Sequence, residues 1–229
     1  MKEQLLKDFD NTIKNLSLSQ KDIEIKKFYL DSFVNRGFPN RKEEDWKFSD
    51  LSQIIKKNIG ELSFYTDYTS TNKIDTSVYV DGLEHNKIVF INGRIEKIDF
   101  DYEKKNQIEI IDQSETIDQF NNNNSLSDLN NAFTNKSFKV LIKKGYQLKK
   151  PLIIYHTTNS NIWSKNINLR LNFELDNDSS LRLIDLFNDT SEKNFLNIFY
   201  NFDLKENAIL KNYKVDRLES KNIKYSYNN

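Results

Sequence analysis

The sequence predicts a mixed fold, mainly β with α: a helical region over residues 1–60, then β-structure over residues 75–229. Three observations lead there. Apolar residues recur at helical spacing through residue 60 and at period two from about residue 75. Asn92-Gly93 separates two alternating apolar runs, the strongest short-range hairpin signal. Beyond residue 137 a strand–turn–strand pattern repeats with no helix between.

In the first region Leu5, Phe9, Ile13 and Leu16 fall on one face of a helix. Ser19 followed by Asp22 has the form of a capping box for a second helix carrying Ile23, Phe28, Leu30 and Phe33. Gly37 stands where a helix C-cap wants a left-handed residue, and Pro39 bars continuation. Ser49 is then placed to cap a short third helix with Leu51, Ile54, Ile55 and Ile59. Trp46 and Trp163 are expected to be buried packing residues, Trp46 as a ring laid over the helices.

The β region opens with the hairpin of residues 87–100 and continues with a strand at 107–112. Residues 121–124, all Asn, predict a solvated loop, and the run that follows predicts one short helix capped by Ser125 or Ser127. Three later segments each place a Leu three positions after a turn residue: Leu148 after Gly145, Leu181 after Asp178, Leu210 after Asn207. Such spacing fits the rungs of a β-solenoid, each coil burying its inward face on the next. It fits an antiparallel sandwich as well.

Composition removes several classes of function. Basic and acidic residues balance at 34 each, which leaves no electrostatic footprint for nucleic acid or an anionic membrane. No run approaches the roughly 20 apolar residues of a membrane span, and the start reads as an amphipathic helix instead of a signal peptide, which predicts a cytoplasmic protein. The absence of cysteine excludes thiolate catalysis and cysteine ligation of a metal or cluster by this chain. No nucleotide, esterase or zinc-protease motif occurs. The 31 Asn are read as compositional bias.

Candidate chemistry is thin. His85 reads as a solvated loop residue, and His156 as structural or exposed, because neither has a second ligand at metal spacing. Glu174, Asp176, Asp178 and Asp185 are the acids a carbohydrate-active β-helix enzyme would use, although Asp176 and Asp178 are better explained as turn formers. No catalytic, metal or cofactor residue is therefore assigned.

Residues 36–51, RGFPNRKEEDWKFSDL, resemble the N-terminal signature of the SufD scaffold subunits, of the SufB/SufD family, in the SUF iron–sulfur cluster assembly system. Gly37, Phe38, Pro39, Glu44, Trp46, Lys47, Phe48, Ser49 and Leu51 fill its Gly-Phe-Pro…Glu-x-Trp-Lys pattern. Residues 87–95, 129–133, 143–156, 168–187 and 206–217 are similar to the same family in the same order. The resemblance implies a right-handed parallel β-helix after the helical region, in a protein nearly twice this length, and a structural role for Gly37, Pro39, Glu44 and Trp46. It further implies a non-enzymatic scaffold that pairs with a SufB-like homologue and a SufC-like ATPase through parts beyond Asn229, an iron–sulfur cluster being present only in the complex. Solenoids need a capped end, so the strand carrying Ile223, Tyr225 and Tyr227 is expected to be a cut, open edge or partner contact.

Overall fold

The computed structural model describes residues 2–16, 18–65, 75–113, 124–134, 137–158, 162–188, 193–216 and 222–229. Its helices are α1 (Lys2–Asn15), α2 (Gln20–Arg36), α3 (Leu51–Asn58) and α4 (Ser125–Phe133). The strands are β1 (Ser63–Phe64), β2 (Asn86–Ile91), β3 (Arg94–Asp99), β4 (Ile108–Asp112), β5 (Ser137–Ile142) and β6 (Leu152–Thr157). They continue as β7 (Lys165–Leu175), β8 (Ser180–Phe187), β9 (Phe195–Leu204), β10 (Ile209–Asp216) and β11 (Ile223–Asn228).

Helices α2, α3 and α4 each begin where a side chain satisfies a free amide. Ser19 accepts from the Asp22 amide and Asp22 answers from the third helical position, the expected capping box on α2. The other two caps differ from expectation. Asp50, not Ser49, caps α3 by accepting from the Gln53 amide, and Asn124, not a serine, caps α4 through the Leu126 amide. In both cases the residue immediately before the first helical one has extended backbone and a side-chain oxygen within reach of the free amides. Phe28 also corrects the helical-face reading: it is 68 % exposed. Two positions from Leu30 it lies some 200° around α2, away from the buried face of Lys26, Tyr29, Leu30 and Phe33.

The strands form two sheets. One runs β11-β9-β7-β5-β4, with β1 also on β7; the other runs β10-β8-β6-β2-β3. Only β2·β3 and β4·β5 are antiparallel. From β5 onward successive strands alternate between the sheets; β6 pairs in parallel with β2, and from β7 onward each strand pairs in parallel with the one two places earlier. This excludes the antiparallel sandwich for these strands. The repeat read from the turns is a physical register: Leu210 pairs with Leu181, and Gln147 bridges Ser180. Gly145, Asp178 and Asn207 all have positive φ, of 69°, 60° and 56°. The Gly145 amide donates to Asn177 O and the Asp178 amide to Glu206 O, so the turns stack as well.

Three apolar layers result. Leu152, Ile154, Leu169, Leu171, Phe173, Leu181, Leu183, Leu196 and Ile198 fill the space between the sheets. Leu5, Phe9, Leu30, Phe33, Phe38, Leu51, Ile55, Leu126, Leu129 and Phe133 join Phe195 and Phe199 of β9, which seats all four helices on the outer face of one sheet. Val78 covers Val89, Ile91, Ile153, Tyr155 and Leu186 on the outer face of the other.

Candidate functional site

The joint after α2 is built from the residues singled out in the sequence. Gly37 ends the helix with its amide on Phe33 O at 2.6 Å. Its φ of 73° and ψ of −169° lie in a region essentially reserved for glycine, beyond the left-handed helical basin that Asn also visits. Pro39 is buried, and its carbonyl accepts from the Leu51 amide, closing the loop that carries the 3-10 turn Glu44–Trp46. Glu44 is exposed and binds Lys47 at 3.1 Å. Trp46 is half-buried, packed on the helical core and 5.9 Å from the Tyr225 ring.

Ile223, Tyr225 and Tyr227 point the same way and pack against that helical core. Tyr225 OH accepts from Asn124 Nδ2 at 2.8 Å, which ties β11 to the cap of α4. Burial raises the Tyr225 pKa. Tyr225 and Tyr227 both meet Phe199. The side chains are therefore held, while the backbone of β11 is an outer strand of its sheet. Beside it β10 is the outer strand of the other sheet. Ile209, Tyr213 and Val215, which alternate along β10, are 57 %, 56 % and 43 % exposed.

Between the sheets the apolar filling gives way to polar groups toward this end. His156 Nε2 lies 2.7 Å from Asp185 Oδ1 and 2.8 Å from Tyr200 OH, which donates to the same Asp185 oxygen at 2.6 Å. The His156 ring is stacked between Phe90 and Phe187. Desolvation, then the neighbouring Asp185 charge, push the Tyr200 hydroxyl well above its ordinary pKa. Asp185 Oδ2 has no partner among the described residues. One coil further out, Lys214 pairs in register with Asp185, donates to Ser226 Oγ at 2.5 Å and Asn228 Oδ1 at 3.1 Å, and sits over the Tyr200 ring. Lys224 binds Asp216 nearby.

Several readings of single residues are corrected. His85 is buried, not solvated: Nδ1 meets Leu83 O and Nε2 meets the Tyr155 hydroxyl at 2.7 Å. His156 is structural and 3 % exposed, so no substrate reaches it in this conformation. Trp163 is 76 % exposed. Residues 121–123 of the Asn tract lie outside the described residues, and Asn124 is a helix cap.

The four acids do not converge. Glu174 pairs with Lys139, Asp176 accepts from the next backbone amide, Asp178 accepts from Asn207, and Asp185 is sealed in the core. Among the described residues no group of three or more His, Cys, Asp or Glu is placed to hold a metal ion, and no helix is long and apolar enough to cross a membrane.

The asparagines are more than bias. Asn197 Nδ2 donates to Asn168 Oδ1, Asn229 Nδ2 to Asn201 Oδ1, Asn207 Nδ2 to Asp178 Oδ1, and the Asn194 amide to Asn222 Oδ1. The partners are 29, 28, 29 and 28 residues apart, one coil in each case. A search for Asn or Asp recurring at that interval finds these pairs from sequence. No family model matches the chain, and no curated protein matches it.

Proposed function

We propose that this chain is a SufD-like, non-enzymatic scaffold subunit of a cytoplasmic SUF iron–sulfur cluster assembly complex, its stacked strands being the first coils of a parallel β-helix. The observation that carries this reading is the joint of residues 36–51, with its SufD-like pattern, leading into strands that alternate between two sheets and pair in parallel. A scaffold needs rigid coils and a surface for other proteins, not a cleft with poised titratable groups. The dispersed acids and the sealed His156 suit that role and give the carbohydrate-active alternative no site. The partners are a SufB-like homologue and a SufC-like ATPase, and the cluster belongs to their joint complex.

Depleting the protein in its own cells tests the reading. Iron–sulfur dehydratase activity per unit of enzyme polypeptide is expected to fall several-fold, with polysaccharide breakdown unchanged. Unchanged dehydratase activity, or loss of polysaccharide cleavage, overturns it.

A further inference from the structure

We propose that residues 75–85 are a strap over the outer face of the β10-β8-β6-β2-β3 sheet, and that a proton on His85 releases it. The segment runs from the 3-10 turn Thr76–Val78, which Asp75 caps, to His85, next to the first residue of β2. Val78 lies on Val89, Ile91, Ile153, Tyr155 and Leu186, all of them buried. Among the described residues one hydroxyl ties this segment to the strands. Tyr155 Oη accepts from the Val80 amide at 3.1 Å and meets His85 Nε2 at 2.7 Å. The scaffold reading plays no part in this inference.

The contacts of His85 suit a neutral ring. A carbonyl oxygen only accepts, so the 2.6 Å contact with Leu83 O puts the ring proton on Nδ1. Nε2 is then the acceptor for the Tyr155 hydroxyl, whose oxygen stays open to the Val80 amide. A second proton on the ring reverses that contact: Nε2 becomes a donor, two N–H groups converge on the Tyr155 oxygen, and its own proton must turn away. The charge is also buried with no counter-ion in contact. On the strap Asp75, Asp81 and Glu84 are exposed, and Glu84 pairs with Lys150. Lys87 of β2 pairs with Asp99 of β3 and lies over the Tyr79 ring, while β8 presents only Ile184 and Leu186 to this layer. Of the titratable groups around it, Tyr155 alone touches the His85 ring. Tyr79 favours release, because its hydroxyl is buried with no partner among the described residues and gains water when the strap lifts. Release uncovers the row of Val89, Ile91, Ile153 and Leu186, an apolar surface that the closed form hides.

Amide exchange on the full chain at about pH 7.5 and about pH 5.5, the span in which histidine changes charge, tests this once each rate is divided by its intrinsic value. Release takes up a proton, so it grows as pH falls. Protection of the Val80 amide is expected to drop at least ~10-fold at the lower pH, while Ile88 and Ile154 keep theirs. His85→Gln, neutral at both values, should abolish the drop, and His156→Gln, which removes the other histidine, should leave it. Nitrogen shifts of the parent His85 ring should report an Nδ1–H tautomer at the higher pH and protonation in step with the loss at Val80, a readout that needs no variant to fold. Unchanged Val80 protection, a drop that persists in His85→Gln or vanishes in His156→Gln, or an Nε2–H tautomer overturns the proposal.

Discussion

Trp46 and Tyr225 meet ring to ring, their centroids 5.9 Å apart. The joint between α2 and α3 therefore braces β11, an outer strand of the stack, and the helices and coils share one core. Because Trp46 is only half-buried, the contact is worth less than a fully buried tryptophan. In a double-mutant cycle, Trp46→Ala and Tyr225→Ala are expected to couple by about 0.5–1.5 kcal/mol in denaturant unfolding. Strict additivity would mean that the rings merely lie near each other.

Gly37 should tolerate no side chain, for reasons of backbone and not of space. A Cβ there meets nothing within 4 Å, yet φ is 73° with extended ψ. Gly37→Ala is expected to cost about 1–3 kcal/mol, and Gly37→Asn should recover none of it, because Asn eases only the left-handed helical basin. Full stability of the Asn variant would show that the backbone there adopts another conformation.

Asparagine pairs between coils should matter according to their burial. Asn197 is 0 % exposed and donates to both Leu126 O and Asn168 Oδ1 at 2.9 Å. Asn197→Ala strands those acceptors and is expected to cost about 1–3 kcal/mol. Asn201→Ala, at the exposed contact with Asn229, should stay within about 0.5 kcal/mol. Thermal melts of the two variants separate the cases, and equal losses would count against the buried ladder.

Stability should rise with pH on the alkaline side, through Lys26. Its ammonium is buried against the carbonyls of Asn131, Ala132 and Thr134 at the end of α4. Desolvation, with nearby Arg170, lowers its pKa from 10.5 to about 8. Between those two values the unfolded chain holds the proton that the folded chain has released, so stability increases with pH across that window. The limiting gain is about 3 kcal/mol, and titration of the tyrosines ends it near the top of the window. Chemical denaturation at a series of pH values reads the slope, and Lys26→Met should flatten it. A flat parent profile would show that Lys26 keeps its proton.

Local signals in the sequence carried over where their cause was local. The Ser19 and Asp22 box, the Asn92-Gly93 turn with both residues at positive φ, and the turn residues 145, 178 and 207 depend on a few neighbouring atoms. Spacing also gave the Leu181–Leu210 register. What it left open was strand direction, since period two is the same in parallel and antiparallel sheets. Burial of His85 depends on a tyrosine hydroxyl 70 residues away, and the grouping of Asp185 with His156 and Tyr200 arises only when coils stack. Glu44 and Lys47 form an exposed pair whose place in the joint gives it no visible packing role.

Purification through an N-terminal tag at the native locus, followed by mass spectrometry of what co-elutes, tests the scaffold claim most directly. The account predicts a SufB-like homologue and a SufC-like ATPase in near-stoichiometric amounts, and their loss from a Gly37→Val, Trp46→Ala variant whose joint no longer braces the coils. Recovery of the tagged protein in quantity with neither partner would contradict it.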